Sequence, residues 1–224
     1  MDELRFDGRA LVVTGAGRAF CSGADVKALF KTQADGEKVE RRNDEALPWV
    51  DLLRQSKPIV AAINGICFGV GLSQLMPMDV LIASKDAKLS FRFIKMGLVP
   101  ELGSSHFLVA RTSFGQASKL MLSGEVIDGE EAGRIGLVDI VAESSELLDV
   151  ARRTAKSMGE NPPKAVREVK RLLTENMSEA DLDVVQGREL AALTRSYKTP
   201  EHHEAIDAFL EKREPDFKRV RLRD

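Results

Sequence analysis

The sequence predicts an α/β fold with parallel strands joined by helical crossovers and a helical C-terminal region. Three observations carry this. Short apolar runs rich in Ala, Val and Ile alternate with helical patterns through the first two thirds of the 224 residues, as buried strands in βαβ units do. Two of those runs end in loops dense in glycine, GAGRAFCSGAD and NGICFGVG. From Ser144 onward the spacing is helical, broken once at Asn161-Pro162-Pro163. We therefore divide the chain into an α/β core, 1–160, and a helical region, 161–224, whose apolar stripes lack a second layer and need a partner surface.

In order, Ala10 to Thr14 reads as a strand, and Ala24 to Phe30 carries helical spacing at Val26, Leu29 and Phe30. Residues 31–45 are polar and read as an exposed segment. Leu47, Val50 and Leu53 mark a helix leading to Ile59–Ile63, a fully buried strand that turns at Asn64-Gly65. A short helical run, Leu72 to Met76, stops at Pro77. Strands follow at Val80–Ala83 and around Lys88–Phe91, then a loop, MGLVPELGSS, that carries Glu101. Helices are expected at about 103–111 and 114–122, and Asp128-Gly129-Glu130-Glu131 opens another. Leu137–Ala142 reads as the last strand, and Thr199-Pro200-Glu201 as a helix start with Pro in the first position.

Composition narrows the function. Hydrophobic residues make up 43% of the chain, yet no apolar run approaches the ~18 residues of a membrane span. The charged opening MDELRFDGR carries no apolar signal region, so the expectation is a cytoplasmic protein. A net charge of −2 without a basic stripe argues against nucleic acid. Cys21 and Cys67 lack CxxC spacing and read as reduced packing residues, and His106, His202 and His203 form no metal-ligand cluster.

The stretch Lys57–Asp79 holds the chemistry. Strand, glycine-rich turn and helix start aim unpaired backbone N–H groups outward. It is not a dinucleotide fingerprint, because Gln74 stands where a third glycine belongs, and no Gly-Lys-Ser/Thr triplet marks a P-loop. Gly15-x-Gly17 fails the same test at Phe20. The turn is either an oxyanion site or a tight packing turn.

Taken together, VVTGAGRAFCSGADVKAL, KPIVAAINGICFGVGLS, MDVLIAS, KMGLVPELGSS, LMLSGEVIDGEEAGRIGLV and AFLEKREPDF resemble the crotonase superfamily of enoyl-CoA hydratases and isomerases, in the right order and over nearly the whole chain. The resemblance implies a spiral of ββα units with C-terminal helices that build a homotrimer or hexamer. It implies an acyl-CoA thioester substrate and no separate cofactor. It makes the amides of Ala24 and Val70 the oxyanion donors and puts Asp25 in the same loop. Lys27, Phe209 and Lys212 become coenzyme A ligands, the last two toward a neighbouring subunit. Either lysine could equally be a surface charge.

The chain departs from the hydratase pattern. Ser73 and Phe93 stand where hydratases carry their two catalytic glutamates, and hydration needs an acid and a base around the water. Glu101 matches the single carboxylate of the Δ3,Δ2-enoyl-CoA isomerases, though it could also be a charge at a helix N-terminus. Asp79 reads as structural. Members carry further residues before ALVVT, so the start reads as shortened, with an exposed sheet edge. The expected function is enoyl-CoA isomerisation. The alternatives are hydration or other enolate chemistry, a non-catalytic scaffold, and a serine hydrolase of Ser73, Glu101 and His106, which lacks the G-x-S-x-G elbow.

Overall fold

The computed structural model describes residues 2–6, by backbone alone, 9–25 and 48–217. The helix expected after Ala24, Lys27 and the polar segment 31–45 lie outside those residues, apart from Ala24 and Asp25 themselves. Strands β1 (Asp2–Phe6), β2 (Ala10–Thr14), β4 (Ile59–Ile63), β6 (Val80–Ser84) and β9 (Ile140–Ala142) form one sheet in the order β1-β2-β4-β6-β9. A second sheet runs β3-β5-β7-β8, from Ala19–Cys21, Ile66–Phe68, Lys88–Ser90 and Ile127–Asp128. Neighbours are parallel except at one edge of each sheet, where β1 runs against β2 and β8 against β7. The sheets are thus mixed, where only parallel pairs were expected. The opening residues also form a strand rather than a charged lead-in, so β2 is not an edge.

Strands β2, β4 and β6 of the first sheet each lead into a short strand of the second, and β5 leads directly into a helix. Alternation along β4 explains the layering. Ile59, Ala61 and Ile63 face a core shared with Cys67, Leu89 and Phe91 of the second sheet and its continuation. Val60 and Ala62 face the other way, onto Ala151 and Ala155. Period two in a strand buried on both faces gives this division. Those alanines belong to helix α6 (Leu147–Gly159), which packs on β2 and β4.

The remaining helices are α1 (Trp49–Gln55), α2 (Val70–Ser73), α3 (Ser104–Arg111), α4 (Phe114–Ser123), α5 (Gly129–Arg134), α7 (Pro163–Asn176), α8 (Leu182–Ser196) and α9 (Pro200–Glu211). A 3-10 turn spans Arg92–Met96. Ser113 and Asp128 cap α4 and α5 by accepting from Gln116 and Glu131 N–H, and Thr199 accepts from His202 N–H at the start of α9. None of the described helices is long and apolar enough to cross a membrane.

One device repeats along the first sheet. Asp79, just before β6, accepts from the Ile59 amide at the start of β4 at 2.8 Å. Asp139, just before β9, accepts from the Leu81 amide in β6 at 2.7 Å. Each carboxylate fixes the register of its strand against the next. Asp79 also accepts from Arg54 and Lys170, both at 2.8 Å. Because Lys170 lies on α7, this buried cluster ties the C-terminal helices to the sheet.

Candidate active site

The two glycine-rich loops leave adjacent parallel strands at the same end. Cys21 of β3 stands opposite Cys67 of β5, so the segment 22–25 and the Gly69-Val70 turn emerge side by side. Glycine is required where they meet. A Cβ on Gly71 would lie 2.6 Å from the Cys21 Cβ and 2.8 Å from its carbonyl oxygen. Gly23, at φ +108°, lies against the Phe68 carbonyl. The packing reading of the turn holds: these glycines let the two loops approach closely, and that approach fixes where the neighbouring amides lie.

Val70 is the first residue of α2, after Gly69 at φ +55°. The Gly69 carbonyl accepts from the amides of Leu72 and Ser73, each at 3.0 Å. The Val70 amide precedes the first helical bond and donates to no described residue. The Ala24 amide likewise has no acceptor among the described residues, and Ala24 is half-buried beside exposed Asp25. Two N–H donors on neighbouring loops can stabilise a developing oxyanion. The turn is anchored on its other side, where Gly69 donates to the Ser90 carbonyl of β7 at 2.9 Å.

Glu101 lies on the segment that follows β7. The Leu98 amide donates to the Phe93 carbonyl at 3.0 Å, tying the loop to the 3-10 turn, and the Glu101 carbonyl accepts from Ser104 at the start of α3. The next residue, Leu102, has φ +56° and Gly103 φ +69°. A left-handed leucine costs about 1–2 kcal/mol, and such strain gathers at functional loops. Glu101 is exposed, not enclosed in a pocket, and its carboxylate meets no side-chain donor among the described residues. The same loop also exposes Met96, Leu98 and Val99.

Ser73 is fully buried and its hydroxyl has no hydrogen-bond partner. With no base beside it, the serine-hydrolase triad with Glu101 and His106 is not assembled; His106 instead stacks edge-on against Phe107. Phe93 packs against the core. Phe209, 83% exposed, and Lys212 stand at the end of α9, away from the paired loops in sequence and joined to them by no recorded hydrogen bond. A cavity of about 1010 Å³ lies elsewhere, between α7 and the body, lined by Met76, Met78, Phe107, Leu173 and Met177 among others.

Comparison with known proteins decides the family. A sequence model described as enoyl-CoA hydratase/isomerase matches residues 1–220. The chain belongs to the enoyl-CoA hydratase/isomerase family. It is 34% identical over 209 residues to a 2,3-dehydroadipyl-CoA hydratase of Escherichia coli K12, covering 92% of this chain and 80% of that one. It is 32% identical to a short-chain-enoyl-CoA hydratase of Clostridium acetobutylicum, over 91% and 78% of the two chains. The structure of an enoyl-CoA hydratase from Polaromonas sp. JS666 superposes with a TM-score of 0.84 at 30% identity, covering 93% of this chain and 81% of that one. The fold is accordingly crotonase-like.

Sequence reasoning missed Arg54 and Lys170, which hold Asp79, and Arg111, which pairs with Asp139 and donates to the Met76 and Met78 carbonyls. It also missed Arg92, whose guanidinium lies over the Phe68 ring. Only the placement of Phe68 immediately before the Gly69 turn hinted that a residue there borders the site.

Proposed function

We propose that this chain acts on acyl-CoA thioesters as an enoyl-CoA isomerase, with Glu101 as its single carboxylate base. The Ala24 and Val70 amides would donate to the thioester oxygen, where charge develops as Glu101 removes a proton from C2 of a 3-enoyl group. The same carboxyl would return the proton at C4, leaving the double bond conjugated with the thioester. In comparable sites one such donor is worth about 3 kcal/mol. No cofactor beyond the coenzyme A carried by the substrate is needed. Asp25, Lys27, Phe209 and Lys212 remain proposed coenzyme A contacts.

The observation that carries this reading is the pair Ser73 and Phe93. A buried, unpartnered hydroxyl and a half-buried phenyl ring packed against the core cannot bracket a water as acid and base. The names of the relatives favour a second reading, hydration. Absorbance of the conjugated thioester separates the two. A 3-enoyl-CoA should gain that absorbance, and a 2-enoyl-CoA should keep it. Loss of absorbance from the 2-enoyl-CoA would establish hydration instead. No turnover and no acyl-CoA binding would leave the scaffold reading.

We further propose that the chain assembles as a homotrimer or hexamer through its C-terminal helices. The support is their outer face, where Leu173, Leu182, Leu190, Leu193 and Leu210 are all exposed in the single chain. Light scattering should give three or six times the 24.7 kDa chain mass; a monomer at micromolar concentration contradicts it.

A further inference from the structure

Arg92 is a cation without a carboxylate partner among the described residues, set beside the oxyanion turn. The backbone fixes it there. Phe68 of β5 pairs with Ser90 of β7, and the Ser90 carbonyl accepts from Gly69 at 2.9 Å. Two residues after Ser90, the Arg92 guanidinium lies over the Phe68 ring, 5.5 Å from its centroid. Stacking on a ring face holds the guanidinium while leaving its N–H edge open to an oxygen anion. The side chain is exposed and caps nothing that the fold needs.

The order of the second sheet indicates which part of a substrate would meet it. In β3-β5-β7, the loop with Ala24 and Asp25 lies on the β3 side of the oxyanion turn. Arg92 lies on the β7 side, on the same connection as Phe93 and Glu101. A thioester oxygen held between the β3 and β5 loops, with its coenzyme on the Asp25 side, sends its acyl group toward β7. On that side the 3-10 turn carries Phe93, Met96 and two cations, Lys95 and Arg92, and it is Arg92 that the Phe68 ring holds beside the turn at Gly69.

We propose that Arg92 determines specificity for an acyl group that ends in a carboxylate, so that the preferred substrates are coenzyme A monothioesters of short dicarboxylic acids. This rests on the acyl-thioester reading above, not on isomerase chemistry. A bidentate guanidinium–carboxylate contact beside a ring discriminates strongly against a methyl end, because the cation is then left without its anion.

The test is binding of two unreactive probes of equal chain length, adipyl-CoA and hexanoyl-CoA, measured by calorimetry with the intact protein. The wild type should bind adipyl-CoA about tenfold more tightly or better, the ratio that one charged hydrogen bond supports. Arg92→Met, which keeps the apolar stem, should bring the ratio close to one, and Arg92→Lys should restore part of it. Equal affinities in the wild type overturn the proposal. So does an Arg92→Met protein that binds both probes more weakly with the ratio unchanged, since Arg92 would then meet a coenzyme A phosphate. If neither probe binds, the acyl-thioester reading and this proposal fall together. If both bind but no 3-enoyl-CoA is turned over, only the isomerase reading falls.

Discussion

Asp79 and Glu101 are both carboxylates close to the ends of apolar segments, and the fold uses them in opposite ways. Asp79 accepts from the Ile59 amide, from Arg54 and from Lys170, two of them charged donors that are largely buried. Its oxygens are occupied and its charge is compensated. Glu101 stands exposed in a loop whose next residue is held at a left-handed φ, and no described side chain donates to it. A carboxylate that is already fully bonded gains nothing from a proton, whereas an uncommitted one can take a proton and return it. The two carboxylates are thus told apart by what surrounds them, since residue type is almost the same.

The largest effect that sharpens this contrast is on stability. Asp79→Asn leaves the Arg54 and Lys170 charges facing a neutral amide inside the molecule, and loss of one partner from such a cluster costs about 3 kcal/mol. Urea unfolding should show that loss, and a change below about 1 kcal/mol would mean that the cluster is replaceable. A smaller effect concerns pH. Burial holds the Lys170 ammonium below the ordinary lysine value of 10.5, with the Asp79 charge opposing the shift. The unfolded chain therefore binds this proton more tightly than the folded one. Stability should rise with pH as the solution approaches 10.5 from below, relative to Lys170→Met, which lacks the group. A flat difference between the two proteins across that window would show that Lys170 keeps its proton.

Much of the first sheet was legible because β2, β4 and β6 are apolar runs that nothing but a buried strand explains. Of the second sheet only β7 was, as a strand around Lys88–Phe91. Its strands have two or three residues each, and β3 and β5 lie inside glycine-rich segments that read as loop and turn. Phe20 and Cys67 are buried there by pairing between β3 and β5, which local sequence does not reveal. The β1 strand was hidden for a similar reason, since DELRF is charged and its pairing with β2 is a tertiary fact. At the candidate site, Ala24 and Val70 were named through the resemblance, and the adjacency of their loops follows from the strand register. Asp79 was read as structural through the same resemblance. Its partners could not be, because Lys170 reaches it from a helix 91 residues away along the chain.

The most direct test of the account is turnover of a 3-enoyl-CoA by Glu101→Gln, with acyl-CoA affinity measured on the same preparation. Glutamine keeps the size of the side chain but cannot accept the proton. We expect kcat to fall by about 100-fold or more, the contribution of a positioned general base. Affinity should persist, because the Ala24 and Val70 amides belong to the backbone and are untouched by the substitution. Turnover within tenfold of the wild type would contradict the assignment of Glu101 as the base.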